Sequence, residues 1–567
     1  MIAAIQRALG EPLLRVADLR VSFGDRHERR EVVKGVTFTV GAGECLAIVG
    51  ESGSGKSVTA RTLVGLTGPG STVRADELTF DGKDLTGLRD RHWRAIRGRD
   101  IGLILQDALV SLDPLRPVGK EIEEAMRVHG WGTAPQRRTR VRELLTLVGM
   151  PEPELRVRQR APELSGGLRQ RALIASALAL DPPLLIADEP TTALDVTVQA
   201  QVLDVLEAIK RRGTALVLIS HDLAVVSRLA DMVAVMNGGR ILEYGSARQV
   251  FGNPSHTYTR ALIDAIPSRR SRGTRLSQAE RRAQLNVVQP RFDADKPLLE
   301  ARGLVKRFRG PDGVQRCAVD EVSFTLSHGE TVGIVGESGS GKTTTARMVL
   351  GLIRPDAGHI YLSGDPWSQL SERARRARRR ELSVIYQDPL SSFDPRWSVE
   401  QILTDALSQA EYRTPAERRL RVGELLDLVG LDSGHLNRHP LVLSGGQRQR
   451  VAIARALAPH PRVVVCDEPV SALDVLIQAQ VLDLLKELQL ELGVSYLFIS
   501  HDLGVIHHMS DRVLVMKDGK IVEHGDADSV LTQPVHPHTR ELVASLPALP
   551  ESRYGRPGIH QPPAASE

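Results

Sequence analysis

A seven-residue string, GESGSGK, occurs twice in the chain, at Gly50–Lys56 and at Gly336–Lys342. A residue with a hydroxyl group follows each copy, Ser57 in the first and Thr343 in the second. The pattern is typical of a loop whose glycines let backbone N–H groups close around phosphates, while the helix that follows adds its positive end. The lysine can neutralise phosphate charge and the hydroxyl can coordinate Mg²⁺. The chain therefore carries two candidate phosphate-binding sites.

Carboxylates and histidines recur downstream of both loops. Each copy has an acidic pair at the end of an apolar run, Asp188–Glu189 and Asp467–Glu468, and a histidine in an SHD triplet, His221 and His501. The aspartate is suited to hold a metal ion through water, and the glutamate is placed to activate an attacking water molecule as a general base. The histidine could contact the terminal phosphate and orient that water. These residue types predict hydrolysis of a phosphate bond.

A second glycine-rich motif, LSGG, occurs at Leu164–Gly167 and at Leu443–Gly446. A serine followed by two glycines at a helix N-terminus forms another nest for an anion. Because one domain has no use for two cradles for the same phosphate, we expect each LSGG to serve the nucleotide of a different domain. The next residue is Leu168 in the first copy and Gln447 in the second. This difference predicts a slight asymmetry without loss of catalysis.

The residues around these motifs predict strands that are followed by helices. Apolar runs lead into each phosphate loop (CLAIVG and TVGIVG), each acidic pair (LLIADEP and VVVCDEP) and each SHD triplet (ALVLIS and YLFIS). Buried strands that alternate with helices favour an α/β fold with a mostly parallel sheet and with ligands at the carboxyl ends of its strands. Helical spacing between residues 106 and 164, and between 387 and 443, predicts a helical insert in each copy.

The whole train of motifs is duplicated. The offset between copies is 286 residues at the phosphate loop and 279 to 280 residues from LSGG onward. So constant a spacing indicates two homologous domains in tandem. We predict a first nucleotide-binding domain over residues 1–267, a linker over 268–297, a second nucleotide-binding domain over 298–549 and a disordered tail over 550–567. The linker lacks apolar periodicity and the tail is rich in proline.

Two arginine-rich runs lie at residues 268–275 and 373–380. Basic runs can mark contacts with nucleic acid or anionic lipid. Neither run carries the interleaved aromatic residues that would stack on single-stranded bases. We interpret the first as a solvated linker and the second as a solvated helix face.

The composition excludes several classes of protein. The three cysteines, Cys45, Cys317 and Cys466, include no close pair, so we expect neither a disulfide framework nor a cysteine-based metal cluster. Cys45 and Cys466 lie in apolar segments and are expected in the core. No run approaches the ~18 apolar residues of a membrane span, and the first residues do not resemble a secretory signal. We therefore expect the chain to work in the cytoplasm, where partner subunits would supply any membrane role.

The phosphate loop, a following glutamine, LSGG, the acidic pair and SHD together resemble the ATP-binding cassette (ABC) family, and the match covers both repeats nearly from end to end. The resemblance implies an ATPase in which the phosphate loop of each repeat works with the LSGG of the other, so that two composite ATP sites form. Phe23 and Phe308 match the aromatic residue that stacks on adenine in this family, although either could simply belong to the core. The ALD triplets at 193–195 and 472–474 match its dimer-contact loop.

The same resemblance implies a defined set of site residues. The catalytic residues are Glu189, His221, Glu468 and His501. The residues that bind ATP are Phe23, Gly50, Glu51, Ser52, Gly53, Ser54, Gly55, Lys56, Ser57, Gln106, Ser165, Gly166, Gly167, Phe308, Gly336, Glu337, Ser338, Gly339, Ser340, Gly341, Lys342, Thr343, Gln387, Ser444, Gly445 and Gly446. The residues that hold Mg²⁺ are Ser57, Gln106, Asp188, Thr343, Gln387 and Asp467.

Further segments resemble the ATPases of importers for dipeptides, oligopeptides and nickel. These are QDALVSLDP at 106–114, QDPLSSFDP at 387–395, and the ends of the two repeats at 253–267 and 533–547. The resemblance implies the ATP-hydrolysing subunit of an importer, peripheral to the cytoplasmic face of the cell membrane. It would drive two transmembrane permease subunits, which an extracytoplasmic binding protein supplies with substrate.

One departure from that group concerns iron–sulfur chemistry. Members often carry a cysteine cluster for an iron–sulfur centre after the first ATPase. No cysteine lies between Cys45 and Cys317, so no such centre is expected here. Other peptides, glutathione-like compounds, peptide-like antibiotics and metal chelates stay open as cargo, because substrate contacts would lie on the permease and the binding protein.

The alternative is a soluble twin-cassette ATPase that acts on ribosomes or nucleic acid. A ribosome-acting protein of this kind would be expected to have a long, charged helical linker, whereas residues 268–297 contain Pro290 and Pro297. A DNA-repair version would be expected to carry zinc-binding cysteines. Neither pattern occurs in the sequence, so we favour the importer and expect no nucleic-acid partner.

Overall fold

The structure is a computed structural model that describes residues 11–24, 29–106, 108–191, 194, 196–268, 271–277, 297–309, 313–407, 412 and 414–545. The chain divides into two compact units, with the division between Ile263 and Asp264. Across these ranges, we find no helix that is both long and apolar enough to cross a membrane.

The first unit is built on two sheets. Its strands are β1 (Leu14–Phe23), β2 (Arg30–Val40), β3 (Cys45–Val49), β4 (Ser71–Arg74), β5 (Glu77–Phe80), β6 (Lys83–Asp84), β7 (Ile101–Ile104), β8 (Leu184–Asp188), β9 (Ala215–Ile219), β10 (Met232–Asn237) and β11 (Arg240–Ser246). One sheet has the order β11-β10-β3-β9-β8-β7 and is parallel except for the β10–β11 pair. The other is antiparallel, with β1 paired to β2, β4 and β5, and β5 paired to β6.

Helices of the first unit cover the parallel sheet and form the predicted insert. They are α1 (Lys56–Thr62), α2 (Asp90–Ile96), α3 (Ala108–Ser111), α4 (Val118–Val128), α5 (Ala134–Leu147), α6 (Pro153–Arg156), α7 (Gly166–Ala177), α8 (Val196–Arg211), α9 (Leu223–Leu229), α10 (Ala247–Gly252) and α11 (Thr257–Asp264). The insert, α3 to α6, confirms the helical spacing read from the sequence. Helix α5 begins with a capping box between Thr133 and Gln136 and buries Val141, Leu144 and Leu145.

The second unit repeats this plan. Its strands are β12 (Leu299–Arg309), β13 (Gln315–Leu326), β14 (Thr331–Gly336), β15 (Ala357–Leu362), β16 (Asp365–Pro366), β17 (Leu382–Ile385), β18 (Val463–Asp467), β19 (Ser495–Ile499), β20 (Arg512–Lys517) and β21 (Lys520–Asp526). Its helices are α12 (Lys342–Val349), α13 (Glu372–Arg378), α14 (Val399–Leu407), α15 (Pro415–Leu428), α16 (Gly445–Leu457), α17 (Val475–Leu492), α18 (Leu503–Met509), α19 (Ala527–Thr532) and α20 (Pro537–Ala544). The sheet orders are β17-β18-β19-β14-β20-β21 and β13-β12-β15-β16.

The strands that lead into the motifs are the buried centre of each parallel sheet, as the sequence predicts. Every residue of β3, β8 and β9 is buried, and the same holds for β14 and β19. Cys45 on β3 and Cys466 on β18 are fully buried. Burial raises the pKa of the Cys45 thiol to about 12, so this sulfur is a core atom and not a reactive group. The prediction that both cysteines belong to the core is confirmed.

The antiparallel sheet of each unit was not predicted. Strand β1 alternates only loosely between buried and half-buried residues, and its pairing with β2 contains three register shifts. Such irregular strands weaken the period-two signal by which a half-buried strand is read from sequence. The apolar side of this sheet packs with one face of the parallel sheet into a single core cluster in the first unit.

Part of the predicted linker is anchored on the second unit. The Asp483 carboxylate on α17 accepts hydrogen bonds from the backbone N–H groups of Leu276 (3.0 Å) and Ser277 (2.8 Å), and the Leu276 side chain lies in the core of this unit. Ser271 is buried as well, with its Oγ 3.0 Å from Nδ1 of His508. For residues 271–277, the interpretation as a solvated linker is therefore wrong. Residues 278–296 and the predicted tail at 550–567 lie outside the described residues.

Both described arginines of that segment pair with acidic residues of the second unit. Arg272 lies 2.5 Å from Asp528 and 3.9 Å from Asp511, and Arg275 lies 2.8 Å from Glu487. The positive charges of these two arginines are thus already paired with carboxylates, whereas binding to nucleic-acid phosphates relies on arginine and lysine charges.

The second basic run is largely a solvated helix face, as predicted, with one buried member. Arg375 is only 5% exposed and donates a hydrogen bond to the Gly351 carbonyl oxygen at 2.9 Å. Its guanidinium therefore tethers α13 to the end of the helix that follows the phosphate loop.

Candidate functional site

The phosphate loop of the first unit connects the buried strand β3 to helix α1. A Cβ atom at Gly50 would lie 1.9 Å from the Met236 carbonyl oxygen, so the chain can pass here only as glycine. Gly55 has a φ of 102° where α1 begins, a backbone conformation that glycine adopts without strain. The Lys56 ammonium donates to the carbonyl oxygens of Gly50 and Glu51, at 2.7 Å each. The loop is thus closed around its own lysine.

The second loop has the same construction. A Cβ at Gly336 would lie 2.2 Å from the Met516 carbonyl oxygen, and Gly341 has a φ of 102° where α12 begins. Lys342 donates to the carbonyl oxygens of Gly336 and Glu337, again at 2.7 Å.

A buried aspartate faces the hydroxyl residue that follows each loop. In the first unit, Ser57 Oγ donates to Asp188 Oδ1 at 3.0 Å, and Asp188 is 1% exposed. Burial raises the pKa of Asp188, and the hydrogen bond from Ser57 opposes that rise. In the second unit, burial likewise raises the pKa of Asp467, which Thr343 contacts.

The Asp188 carboxylate shows whether the site beside Ser57 suits Mg²⁺. Among the described residues, the second carboxylate oxygen of Asp188 has no hydrogen-bond partner although it is buried. A buried carboxylate oxygen beside a hydroxyl oxygen matches the hard oxygen ligands that Mg²⁺ prefers, and this ion is usually bound by one or two carboxylates together with substrate phosphates. The residues present fit the ion.

The glutamate after each aspartate is held between the predicted glutamine and histidine. Gln106 Nε2 donates to Glu189 Oε2 at 2.8 Å, and His221 Nδ1 lies 3.2 Å from Glu189 Oε1. Glu189 has a φ of 49°, in the left-handed region that residues other than glycine rarely adopt. Such strain concentrates at functional sites.

The second unit reproduces this cluster. Gln387 Nε2 donates to Glu468 Oε2 at 2.8 Å, His501 Nδ1 lies 3.2 Å from Glu468 Oε1, and Glu468 has a φ of 50°. Burial alone would raise the pKa of Glu468, but the hydrogen bond and charge of His501 lower it below its usual value. Burial alone would lower the pKa of His501, but Glu468 raises it. The two groups therefore favour the ion pair.

Each LSGG lies at the start of a helix, as predicted. Ser165 is the N-cap of α7, and its Oγ accepts a hydrogen bond from the backbone N–H of Leu168 at 3.4 Å. A Cβ at Gly167 would lie 2.3 Å from Val198 Cγ1, whereas at Gly166 the nearest atom would be 3.9 Å away. Close packing against α8 therefore requires glycine at position 167. Gly166 has no close neighbour among the described residues, so its lack of a side chain leaves the helix N-terminus accessible.

The asymmetry after LSGG has a structural consequence. In the second unit, Ser444 Oγ accepts from the Gln447 N–H at 3.2 Å, and the Gln447 side chain accepts from the Ser444 N–H at 3.0 Å, which makes a reciprocal capping box. Leu168 offers no acceptor, so the first unit has only one of these two bonds.

The phenylalanines differ in exposure. Phe308 is 43% exposed, with the Lys306 ammonium 5.7 Å from the centre of its ring. Phe23 is half-buried and packs against the core of the first unit. Phe308 therefore presents a free ring face, while Phe23 is shared between the surface and the core. Of the ALD triplets, 472–474 is described and Ala193 and Asp195 lie outside the described residues.

Sequence reasoning missed one residue that contacts a phosphate loop. Tyr258, on α11, accepts a hydrogen bond at 3.3 Å from the backbone N–H of Glu51. The tyrosine lies 207 residues from this partner, and the sequence of its segment indicates only a resemblance to importer ATPases. Nothing in the local pattern indicates which loop its hydroxyl reaches.

Fold and site together define a tandem phosphate-loop ATPase. The ABC transporter family model matches residues 33–192 and 319–471, and the model for the oligopeptide/dipeptide transporter C-terminal region matches 242–290 and 522–567. The chain belongs to the ABC transporter family, in which it is an ATPase with two fused cassettes.

Three curated relatives align with this chain over most of their own length. The chain is 43% identical to the glutathione import ATP-binding protein GsiA of Pectobacterium atrosepticum, over 96% of this chain and 91% of that protein. It is 43% identical to the peptidoglycan transport ATP-binding protein YejF of Agrobacterium fabrum, over 94% and 96%. It is 40% identical to the oligopeptide transport ATP-binding protein OppD of Mycobacterium tuberculosis, over 96% and 100%. All three are named for transport, and the ribosomal or nucleic-acid alternative has no support among them.

Proposed function

We propose that this chain is the ATP-hydrolysing subunit of an importer for oligopeptides or related compounds such as glutathione. The observation that carries the ATPase chemistry is the repeated cluster in which each glutamate, Glu189 or Glu468, lies between a glutamine and a histidine beside a phosphate loop. The assignment to import is supported by the match to the peptide-transporter C-terminal region and by the names of the relatives.

The residues of the first unit can be given roles from their contacts. Lys56 would exchange its two loop carbonyls for phosphate oxygens, since a bound anion competes for the same ammonium. Ser57, Gln106 and Asp188 would hold Mg²⁺, which when bound would neutralise charge on the phosphates. Glu189 would then accept the proton of the attacking water as general base.

The histidine acts through the glutamate. In this structure the His501 ring fixes one oxygen of Glu468 while Gln387 fixes the other, so the carboxylate is oriented by two donors. If Gln387 held a metal ion instead, His501 would still keep the base in place. The same reasoning applies to the first unit, and we propose that both units hydrolyse ATP.

The test is a pair of isosteric substitutions. Glu189→Gln together with Glu468→Gln is expected to lower ATP turnover by about 10²–10⁴-fold, the range lost with a general base, while ATP binding stays intact. Glu11→Gln, at a solvent-exposed position in the same unit, is the matched control and should leave turnover unchanged. Normal hydrolysis in the double variant would contradict the roles given to both glutamates.

The partners follow from the proposed importer. We propose that two permease subunits bind the chain at the cytoplasmic face of the membrane and that an extracytoplasmic binding protein delivers the cargo. Co-purification from solubilised membranes should recover permeases, and reconstituted complexes should show ATPase stimulation by loaded binding protein. Recovery of ribosomes or nucleic acid without any permease would support the alternative. The cross-pairing of each loop with the other repeat's LSGG stays a prediction from the sequence.

A further inference from the structure

Helix α11, near the end of the first unit, reaches back to the phosphate loop of that unit. In the first unit, α11 carries Tyr258, whose hydroxyl accepts the N–H of Glu51 at 3.3 Å. Glu51 is the second residue of the loop, and its carbonyl oxygen accepts from Lys56. One residue of the loop is thus held on both sides, through its N–H by the tyrosine and through its carbonyl by the lysine.

The position of Tyr258 is fixed by hydrogen bonds around the start of α11. The Glu243 carboxylate on β11 accepts the N–H groups of Ser255 (2.7 Å) and His256 (3.1 Å). His256 Nδ1 in turn accepts the N–H of Tyr258 at 3.1 Å. Burial alone would raise the pKa of Glu243, but the nearby Thr259 hydroxyl and these two bonds lower it and favour the charged carboxylate. The tyrosine is therefore presented to the loop by a rigid support.

The second unit has the same support with a different residue at its tip. Glu523 accepts the N–H groups of Val535 (2.8 Å) and His536 (3.0 Å), and His536 Nδ1 accepts the N–H of His538 at 3.2 Å. His538 therefore stands where Tyr258 stands in the first unit. The charge of Glu337, the counterpart of Glu51, acts on the pKa of His538 in the raising direction.

His538 does not reproduce the bond made by Tyr258. It is 2% exposed, and within the described part of the chain neither of its ring nitrogens has a hydrogen-bond partner. Burial and the nearby Lys517 lower its pKa, so the ring is neutral at physiological pH. Two unpartnered nitrogens in a buried ring are costly.

We propose that Tyr258 is a positioning residue for the first phosphate loop and that it gives this loop the higher affinity for ATP. The Tyr258 hydroxyl holds the first loop in place before nucleotide binds, so less ordering remains to be done on binding. In the second loop, the residue at the matching position, His538, supplies no such bond from its ring nitrogens to any described residue. The inference rests on the proposed role of the loops in ATP binding.

The experiment uses the full chain and measures binding of the fluorescent nucleotide mant-ATP with Mg²⁺. Lys342→Ala leaves the first loop as the measured site, and Lys56→Ala leaves the second. In the Lys342→Ala background, Tyr258→Phe should weaken binding about two- to tenfold, the range of a single neutral hydrogen bond. With both lysines intact, the same substitution should raise KM for ATP by a similar factor and leave kcat within about twofold, because Tyr258 touches no reacting atom.

A matched control and a reciprocal variant separate positioning from folding. Tyr244→Phe makes the same chemical change at an exposed tyrosine of β11 and should leave binding unchanged. In the Lys56→Ala background, His538→Tyr should tighten binding about two- to tenfold relative to His538→Phe, since the two rings differ only by the hydroxyl. The Tyr258→Phe arm decides the matter by itself if the larger rings are not accommodated at 538.

The outcomes distinguish this inference from the proposed function. If the double variant Lys56→Ala and Lys342→Ala still binds mant-ATP, the loops are not the nucleotide sites and the proposed function loses its basis. If the double variant loses binding but Tyr258→Phe binds as tightly as its parent, or no more weakly than Tyr244→Phe, the positioning role of Tyr258 is refuted while the ATPase assignment stands.

Discussion

Reciprocal substitutions at Leu168 and Gln447 test whether the first turns of the two LSGG helices differ in local stability. Gln447→Leu removes the acceptor of the Ser444 N–H at 3.0 Å and a contact with His435 at 3.2 Å, but keeps the bond from the residue-447 N–H to Ser444 Oγ. One net hydrogen bond contributes about 0.5–1.5 kcal/mol, and the second contact is a weaker addition. We expect the start of α16 to lose about 1 kcal/mol of local stability.

Hydrogen exchange followed by mass spectrometry measures this locally, so two unfolding units in one chain cause no ambiguity. A loss of about 1 kcal/mol corresponds to roughly fivefold faster exchange in peptides that contain the first turn of Gly445–Leu457. Leu168→Gln should slow exchange in the first turn of Gly166–Ala177 by about two- to fivefold, because it supplies the missing acceptor.

Gln447→Glu is the matched control, because a glutamate at this position keeps a side-chain acceptor for the capping box. It should exchange as the parent does, or more slowly, since a negative charge near a helix N-terminus is favourable. The reasoning is refuted if Gln447→Leu and Gln447→Glu exchange at the same rate, or if neither substitution at 447 changes the first turn.

Three further predictions concern the second unit. Asp483→Ala should lower its free energy of unfolding by about 2 kcal/mol, measured by urea titration, because buried N–H groups of the anchored segment lose their acceptor. Burial and, to a lesser degree, nearby Lys486 lower the pKa of His508, while Asp483 opposes them. The contribution of His508 to the free energy of unfolding is therefore fully present above pH 6.5 and is lost as the pH drops below that value. In urea titrations at several pH values, the free energy of unfolding should fall less steeply with pH in His508→Gln. Gly446→Ala should destabilise the start of α16, because its Cβ would lie 2.6 Å from a side-chain atom. Gly445→Ala, whose Cβ would have its nearest neighbour at 3.5 Å, should not. Thermal melts of the two variants make the comparison.

The motif residues could be predicted from the sequence because the chain order already limits where they lie. Parallel strands present their carboxyl ends at one edge of the sheet, so residues that follow β3, β8 and β9 must come close together. The bonds from Ser57 to Asp188 and from Gln106 to Glu189 follow from that topology. The left-handed backbone at Glu189 does not follow from it, because glutamate has no preference for that region.

The anchored linker could not be predicted, since its partners are far away in sequence. Composition indicates only that residues 268–275 are polar and basic. Asp483, which accepts the N–H of Leu276, lies 207 residues further along, and no periodic pattern connects the two. Leu276 alone gives an apolar signal, and one such residue in a polar stretch is usually exposed without consequence.

The differences between the two repeats acquire a meaning only when they are combined. Tyr258 holds the first phosphate loop, and Gln447 completes the capping box of the second LSGG. If each loop works with the LSGG of the other repeat, as the sequence predicts, both additional bonds serve the same nucleotide. The other nucleotide would then meet the loop next to His538 and the singly capped helix after Leu168. The two clusters around Glu189 and Glu468 have the same distances, yet the two nucleotide sites can differ in affinity. The difference would come from the residues that support the phosphate loop and the LSGG helix, and not from the glutamate, glutamine and histidine themselves.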